Sequence, residues 1–188
     1  MKRSLSFLAS ALLTVAPLSL HAQALPTASR SGGGLQVGAE LSIQNDDYAV
    51  EGGGTRIAGI SGYATYDIMR HIGVEGAYRS IKIYTPTDIG ETAAEGGLRY
   101  FYTIHRFQPF VRAMAGIGGF YADHDYSTPY IVGHGTYFEY SFGGGLDIRL
   151  NHHLNIRAID FEQQEWPSFS DHGLSPSTIS FGAAYRFH

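Results

Sequence analysis

The sequence contains no cysteine, a single tryptophan and, beyond its first 20 residues, no continuous apolar run of the length that a membrane-spanning helix needs. Without cysteine there is neither a disulfide framework nor a lipobox for a lipid anchor. A helical span requires about 20 consecutive apolar residues, so the sequence excludes an α-helical membrane protein. Basic residues are also scarce, and the net charge of −4 argues against nucleic acid as a partner, because phosphate binding needs clustered Lys and Arg.

A short apolar run is present at the N-terminus. Lys2 and Arg3 precede the apolar residues 5–20, and Ala-Gln-Ala follows at 22–24. A basic start, a short apolar stretch and an A-x-A site predict a secretory signal peptide that is cleaved after this tripeptide. The alternative, a transmembrane anchor, is disfavoured by Pro17 and by the shortness of the run.

From residue 35 onwards, apolar residues alternate with small or polar ones at a period of two, which is typical of β-strands with one apolar face. The closing strand shows the pattern most clearly. Its apolar face carries Ile179, Phe181, Ala183, Tyr185 and Phe187. Its other face is small, polar or charged and carries Thr178, Ser180, Gly182, Ala184 and Arg186.

Eight such stretches follow one another, joined alternately by short and long connections, and a slip in the alternation near residues 158–159 predicts a β-bulge. This organisation predicts an all-β protein, an eight-stranded antiparallel up-and-down transmembrane β-barrel. A soluble barrel would need large apolar residues inside. Here the face opposite the aromatic residues carries Gly, Ser, Arg, Glu and Asp, which cannot form a dry core without cost. We therefore expect the apolar face to contact outer-membrane lipid and the polar face to line a narrow lumen.

Three groups of residues carry a family resemblance. They are Pro-Phe-Val at 109–111 opening a Gly-rich strand, Gly-Gly-Gly-Leu-Asp at 143–147, and the closing strand with Ile-Ser-Phe-Gly at 179–182 and Tyr-Arg-Phe at 185–187. With the eight-stranded meander, they resemble the small outer-membrane barrel families typified by the N-terminal domain of OmpA and by OmpX. The resemblance implies a monomer in the bacterial outer membrane and a C-terminal signal for the barrel-assembly machinery. That signal consists of Ile179, Phe181, Tyr185 and Phe187. The chain then divides into a signal peptide at 1–24, an N-terminal lead-in at 25–34 and a barrel domain at 35–188.

The predicted inner face collects six arginines and eight acids. The interior of an eight-stranded barrel is only just wide enough for side chains to fill it, and buried charges require pairing. The near-balance of signs therefore favours a salt-bridged plug, while a narrow ion-conducting pore stays open as the alternative. The predicted lumen network consists of Glu40, Asp67, Glu75, Arg79, Glu95, Arg99, Arg112, Glu139, Asp147, Arg149, Arg157, Asp160, Glu162 and Arg186.

Aromatic residues on the apolar face, towards the strand ends, predict girdles at the membrane interfaces. The predicted girdle residues are Tyr66, Tyr100, Phe138, Tyr140, Tyr185 and Phe187.

Two sets of residues raise the question of catalysis or metal binding. Ser168, Ser170, Asp171 and His172 bring a nucleophile, an acid and a base close together in sequence. They share one loop with no rigid strand to fix their geometry, which favours a polar loop tip over a lipid A-modifying enzyme. No two histidines have the i, i+2 spacing that forms a ligand face on a strand, so we expect no metal, no cofactor and no catalytic residue.

The long connections are acidic. If the short turns face the periplasm, these acids form a rim on the outer side of the membrane. Such a rim either binds divalent cations, basic partners or host surfaces, or is solvated without a partner. The acids assigned to the long connections are Asp46, Asp47, Glu51, Asp88, Glu91, Asp123, Asp125, Glu165 and Asp171, and Trp166 lies in the last connection. The sequence thus predicts a structural or adhesive, non-catalytic barrel whose partners are lipid, the assembly machinery and a surface ligand of the loops.

Overall fold

The computed structural model describes residues 34–46, 55–84, 89–122, 135–169 and 173–187. The predicted signal peptide and most of the long connections lie outside these ranges. Among the described residues, no helix is long and apolar enough to span a membrane. The strands are β1 (Leu35–Asp46), β2 (Thr55–Asp67), β3 (Ile72–Tyr84), β4 (Ile89–Phe101), β5 (Phe107–Ala122), β6 (Gly135–Arg149), β7 (Leu154–Glu165) and β8 (Ser177–Arg186).

The eight strands close into a single barrel. Each strand pairs with the next one along the chain, and β8 pairs antiparallel with β1. Leu41 of β1, for example, lies opposite Ile60 of β2 on one side and Phe181 of β8 on the other. Closure leaves no open edge among the eight described strands, which is the condition for crossing hydrocarbon with strands. The predicted fold class, an all-β, eight-stranded antiparallel up-and-down barrel, is confirmed.

The two faces of the sheet have opposite polarity. On the outer face, large apolar side chains are about half exposed, as at Leu41 (51%) and Phe181 (49%). On the inner face, polar and charged side chains are buried, as at Gln44 (1%) and Glu139 (0%). A water-soluble domain buries its apolar side chains and leaves most charged ones exposed. The inverted distribution therefore fits a barrel that is surrounded by hydrocarbon.

The predicted β-bulge near residues 158–159 is confirmed. The register of β7 against β8 shifts between Arg157 and Asp160, and the register of β6 against β7 shifts between Leu146 and Asp147. An extra residue in one strand reverses the alternation after it. Because of this shift, Arg157 and Asp160 both point into the barrel although they are separated by two residues.

A second irregularity lies between β2 and β3, where the register shifts between Ala58 and Ile60. The alternation in the sequence did not predict it. Ile57 and Ile81, the apolar residues next to this irregularity, are both buried at 1% exposure. The lumen is therefore partly apolar towards the long connections, in contrast to the polar interior that the pattern predicts.

The strands extend further towards the long connections than predicted. Asp46 belongs to β1, Glu91 to β4 and Glu165 to β7, so three acids that were assigned to the loops are strand residues. Asp46 and Glu91 are buried, at 0% and 2% exposure, and face inward. The assignment was wrong because the inner face of these strands is polar along its whole length. No change in polarity then marks where a strand ends.

Candidate functional site

The charged side chains of six strands meet in the middle of the lumen. Four arginines and six acids are joined there by ion pairs of 2.5–3.8 Å, and every one of these side chains is buried. We call this set the central network. Its members are Glu40, Glu75, Arg79, Glu95, Arg99, Arg112, Asp147, Arg157, Asp160 and Glu162.

Arg112 of β5 joins three strands across the lumen. Its Nη1 donates to Glu75 Oε1 of β3 at 2.5 Å and to Asp160 Oδ2 of β7 at 2.7 Å. Its Nη2 donates to Glu162 Oε2 at 2.5 Å, and Glu162 Oε1 lies 2.8 Å from Nη2 of Arg79. These charge-assisted bonds are of the strong kind, and each of the three acids also pairs with a second arginine.

Arg157 of β7 is the second centre of the network and is completely buried. Its guanidinium lies 3.0 Å from Asp147, 3.1 Å from Glu75 and 3.2 Å from Glu40. Arg99 completes this layer, since its Nη2 donates to Asp147 Oδ2 at 2.5 Å. Arg157 and Arg112 share Glu75, so the two centres form one continuous network.

Aromatic rings support the arginines from inside the barrel. The guanidinium carbon of Arg157 lies 3.7 Å from the centre of the Tyr63 ring and 4.6 Å from that of Phe110. The guanidinium carbon of Arg99 lies 4.2 Å from the centre of the same Phe110 ring. A cation over an aromatic face gains electrostatic energy where water is excluded. Alternation places Tyr63 and Phe110 on the inner face, but no local pattern in the sequence signals that they stack on arginines.

Neutral hydrogen-bonding side chains surround the central network. Ser180 donates to Ser42 at 2.8 Å, the hydroxyls of Ser42 and Ser61 are 3.1 Å apart, and Ser61 donates to Glu40 at 3.0 Å. The side-chain amide of Gln44 bridges the two inward acids Asp46 and Glu91. Chains of this kind satisfy buried polar groups that would otherwise be costly to desolvate.

Four predicted lumen residues lie outside the central network. Asp67 and Arg186 form a long pair of 3.9 Å at the short-turn end of the barrel. Arg149 is partly buried there and makes no ion pair with any residue that the structure describes. Glu139 is fully buried at the opposite end, and neither of its carboxylate oxygens has a hydrogen-bond partner among the described residues.

An aromatic cap covers the lumen at the long-connection end. Trp166, Phe120 and Leu174 are buried at 1%, 4% and 2% exposure, with Tyr137 and Phe169 packed against them. Trp166 and Leu174 exchange two backbone hydrogen bonds, of 2.8 and 3.2 Å. Trp166 lies in the connection between β7 and β8, as predicted, and its side chain packs over the end of the barrel. The indole Nε1 donates to Gln164 at 3.3 Å, which links the cap to the polar interior.

Only one of the four residues considered for catalysis lies in the described part of the chain. Ser168 is exposed, while Ser170, Asp171 and His172 lie outside the described residues. In the described ranges no group of three or more His, Cys, Asp or Glu residues could hold a metal ion.

The predicted girdle residues all lie on the outer face and are between 37% and 55% exposed. Tyr66, Tyr100, Tyr185 and Phe187 lie towards the short turns, with the rings of Tyr185 and Phe187 4.9 Å apart. Phe138 and Tyr140 lie in the other half of the barrel, as a girdle at the second interface requires.

A closed barrel with an apolar outer face and a charged, internally paired lumen defines the chain as a transmembrane β-barrel. Residues 8–187 match the family model of the outer membrane protein β-barrel domain, so the chain belongs to that family. It is therefore an integral protein of the bacterial outer membrane, and the resemblance found in the sequence is confirmed.

Solved structures support the same fold. The Neisserial surface protein A, NspA, is similar with a TM-score of 0.68 and 13% identity, over 82% of this chain and 99% of that one. OprG from Pseudomonas aeruginosa has a TM-score of 0.57 and 15% identity, over 84% and 97%. Ail, the attachment invasion locus protein of Yersinia pestis, has a TM-score of 0.54 and 15% identity, over 83% and 99%. No curated protein sequence matches this chain significantly.

Proposed function

We propose that the protein is a sealed, non-catalytic outer-membrane barrel that serves as a rigid scaffold for its surface connections. The observation that carries this proposal is the central network, in which the guanidinium groups of Arg112 and Arg157 reach acids on other strands across the lumen. Side chains that bind one another across the lumen occupy the path that an ion or a substrate would need.

The energetics favour a closed state. An ion that crosses the lumen must separate pairs such as Arg112 with Glu162 and Arg157 with Asp147. Removing one partner of a buried ion pair typically costs about 3–5 kcal/mol, because the other charge stays buried without compensation. Several such pairs share partners, so opening the lumen would disrupt more than one of them together. The aromatic cap adds a second obstruction above the network.

Planar-bilayer recording of the refolded protein tests the seal. A change in gel mobility on boiling identifies preparations that contain the folded barrel. We expect no discrete conductance steps from these preparations. The alternative, a narrow ion-conducting pore, would give steps that vanish when the sample is boiled. Reproducible steps from the folded species would contradict the sealed barrel and would make the arginines and acids of the central network its selectivity residues.

The charge of the connections suggests the chemistry of a surface partner. Ail, a barrel of the same fold, has been crystallised with sucrose octasulfate, a heparin analogue. The long connections of this chain outside the described residues contain acids and neither Lys nor Arg. Those acids are Asp47, Glu51, Asp88, Asp123, Asp125 and Asp171. Like charges repel, so we assign to this protein a cationic surface partner and not a sulfated sugar.

Binding to two charged polymers tests the surface role. The folded protein in detergent should bind immobilised polylysine and should not bind heparin. Replacing Asp123 and Asp125 by Asn should weaken the polylysine interaction severalfold, because rim charges contribute mainly through electrostatic attraction. Replacement of the inward Asp46 by Asn, which alters a buried carboxylate, serves as the control and should leave polylysine binding unchanged. Equal binding of both polymers, or tighter binding of heparin, would contradict a cationic partner.

A further inference from the structure

The three short turns at one end of the barrel are rich in basic residues. They occupy residues 68–71, 102–106 and 150–153, and their sequence contains no Asp or Glu. Their arginines and histidines are Arg70, His71, His105, Arg106, His152 and His153. Arg70 and Arg106 are exposed, and neither has an ion-pair partner among the residues that the structure describes. We call these three segments the basic turns.

The basic turns also expose large apolar side chains. Ile68 and Met69 are 48% and 58% exposed in the first turn, Ile104 is 50% exposed in the second, and Leu150 is 47% exposed in the third. Each turn therefore presents apolar and basic or titratable groups side by side. Segments of that composition lie in the interface of a membrane, with the apolar side chains at the acyl boundary and the basic ones at the headgroups.

Two histidines tie the basic turns to the aromatic girdle. The His71 ring lies 6.1 Å from the ring of the girdle residue Tyr100 and stacks on Tyr102 of the second turn with centroids 5.1 Å apart. Its Nδ1 lies 3.2 Å from the carbonyl oxygen of Phe101. The His153 ring stacks on Tyr185 with centroids 5.5 Å apart, and its Nδ1 lies 3.3 Å from the carbonyl oxygen of Arg186. Aromatic girdles lie at the level of the lipid headgroups. The stacking therefore holds the basic turns at headgroup depth.

We propose that the basic turns form a binding rim for anionic phospholipid headgroups, with Arg70 and Arg106 as the residues that contact the lipid phosphates. In the orientation of outer-membrane barrels the short turns face the periplasm, so the rim meets the phospholipid leaflet on that side. A soluble anionic polymer would need the same positive charge but no exposed Ile68, Met69, Ile104 or Leu150. The apolar residues in each turn thus favour a lipid surface over a soluble polymer.

The main test compares unfolding in two kinds of vesicle, one of phosphatidylcholine alone and one in which part of it is replaced by phosphatidylglycerol. The wild-type protein should unfold in urea up to about thirtyfold more slowly in the anionic vesicles, as expected for two arginines at an anionic surface, and added salt should reduce the difference. The R70Q/R106Q double variant should unfold equally fast in both. The R70K/R106K variant keeps the charge and should keep most of the difference.

Three outcomes would overturn the proposal. The first is an equal unfolding rate of the wild-type protein in both kinds of vesicle. The second is slower unfolding of R70Q/R106Q in the anionic vesicles than in phosphatidylcholine. The third is that soluble polyaspartate slows unfolding in phosphatidylcholine as much as phosphatidylglycerol does. The last result would identify a soluble anionic polymer as the partner. Equal rates for the two double variants in phosphatidylcholine would show that the substitutions leave the barrel itself intact.

The depth of the turns can be measured separately, because the chain has no cysteine of its own. Met69→Cys, labelled with an environment-sensitive dye, should show a blue-shifted emission in vesicles and resistance to an aqueous quencher. If the dye has the emission wavelength that it has in water and is fully accessible to the quencher, the turn lies outside the interface. That result would also overturn the proposal. Neither result depends on whether the lumen conducts ions, so failure here is distinguishable from failure of the proposed function.

Discussion

Replacement of Arg112 by Ala should lower the free energy of unfolding of the barrel by about 3–5 kcal/mol, the usual cost of stranding a buried ionic partner. Arg112 is 6% exposed and lies within 2.7 Å of Glu75, Asp160 and Glu162. Without it these acids lose a shared donor in an interior that offers little water. Urea unfolding of the refolded protein in detergent micelles, followed by the gel mobility of the folded form, measures the change.

Arg149→Ala is the matched control for this experiment. Arg149 also points towards the lumen, but it is only partly buried and forms no ion pair with the described residues. Its removal should cost less than about 1 kcal/mol, as for exposed charges. A second variant, Asp160→Asn in the Arg112→Ala background, should recover part of the loss. It removes one of the acids left in excess, and Arg157, the other partner of Asp160, keeps three further acids. Equal effects of Arg112→Ala and Arg149→Ala would contradict a stabilising central network.

Gly118→Ala should displace Trp166 from the aromatic cap and destabilise the barrel by about 1–3 kcal/mol, as overpacking of a filled site does. A Cβ atom at Gly118 would lie 2.4 Å from ring atoms of the Trp166 indole, far inside contact distance. Trp166 is the only tryptophan of the chain. Its fluorescence therefore reports the cap directly, and we expect emission at longer wavelength and stronger quenching by acrylamide in the variant.

Gly62→Ala provides the control for the cap. Gly62 lies on the outer face, and the nearest atom to a Cβ there is a backbone oxygen at 3.8 Å, so a methyl group fits without displacement. This variant should keep the wild-type emission and stability. An unchanged emission in Gly118→Ala would mean that the indole does not pack against β5, and the cap as described would be wrong.

Local alternation along the chain was enough to predict much of the fold. It placed Leu41 and Phe181 on the apolar face, and it located the bulge near residues 158–159. This succeeds because the side chains of a strand alternate between two faces whatever the strand pairs with. The strand ends at Asp46 and Glu91 were not predicted, because the polar residues of an inner strand face cannot be distinguished from loop residues in the sequence.

The sequence by itself thus determined the strand number, the closed up-and-down topology and the face of most strand residues, because these follow from a periodicity within each strand. Only the tertiary structure decided which charges meet. Arg112 is separated by 37 residues from Glu75 and by 50 from Glu162, yet it binds both. Such contacts depend on the register and stagger of all eight strands together and on the barrel radius that they set. The same collective geometry brings Trp166 over the lumen.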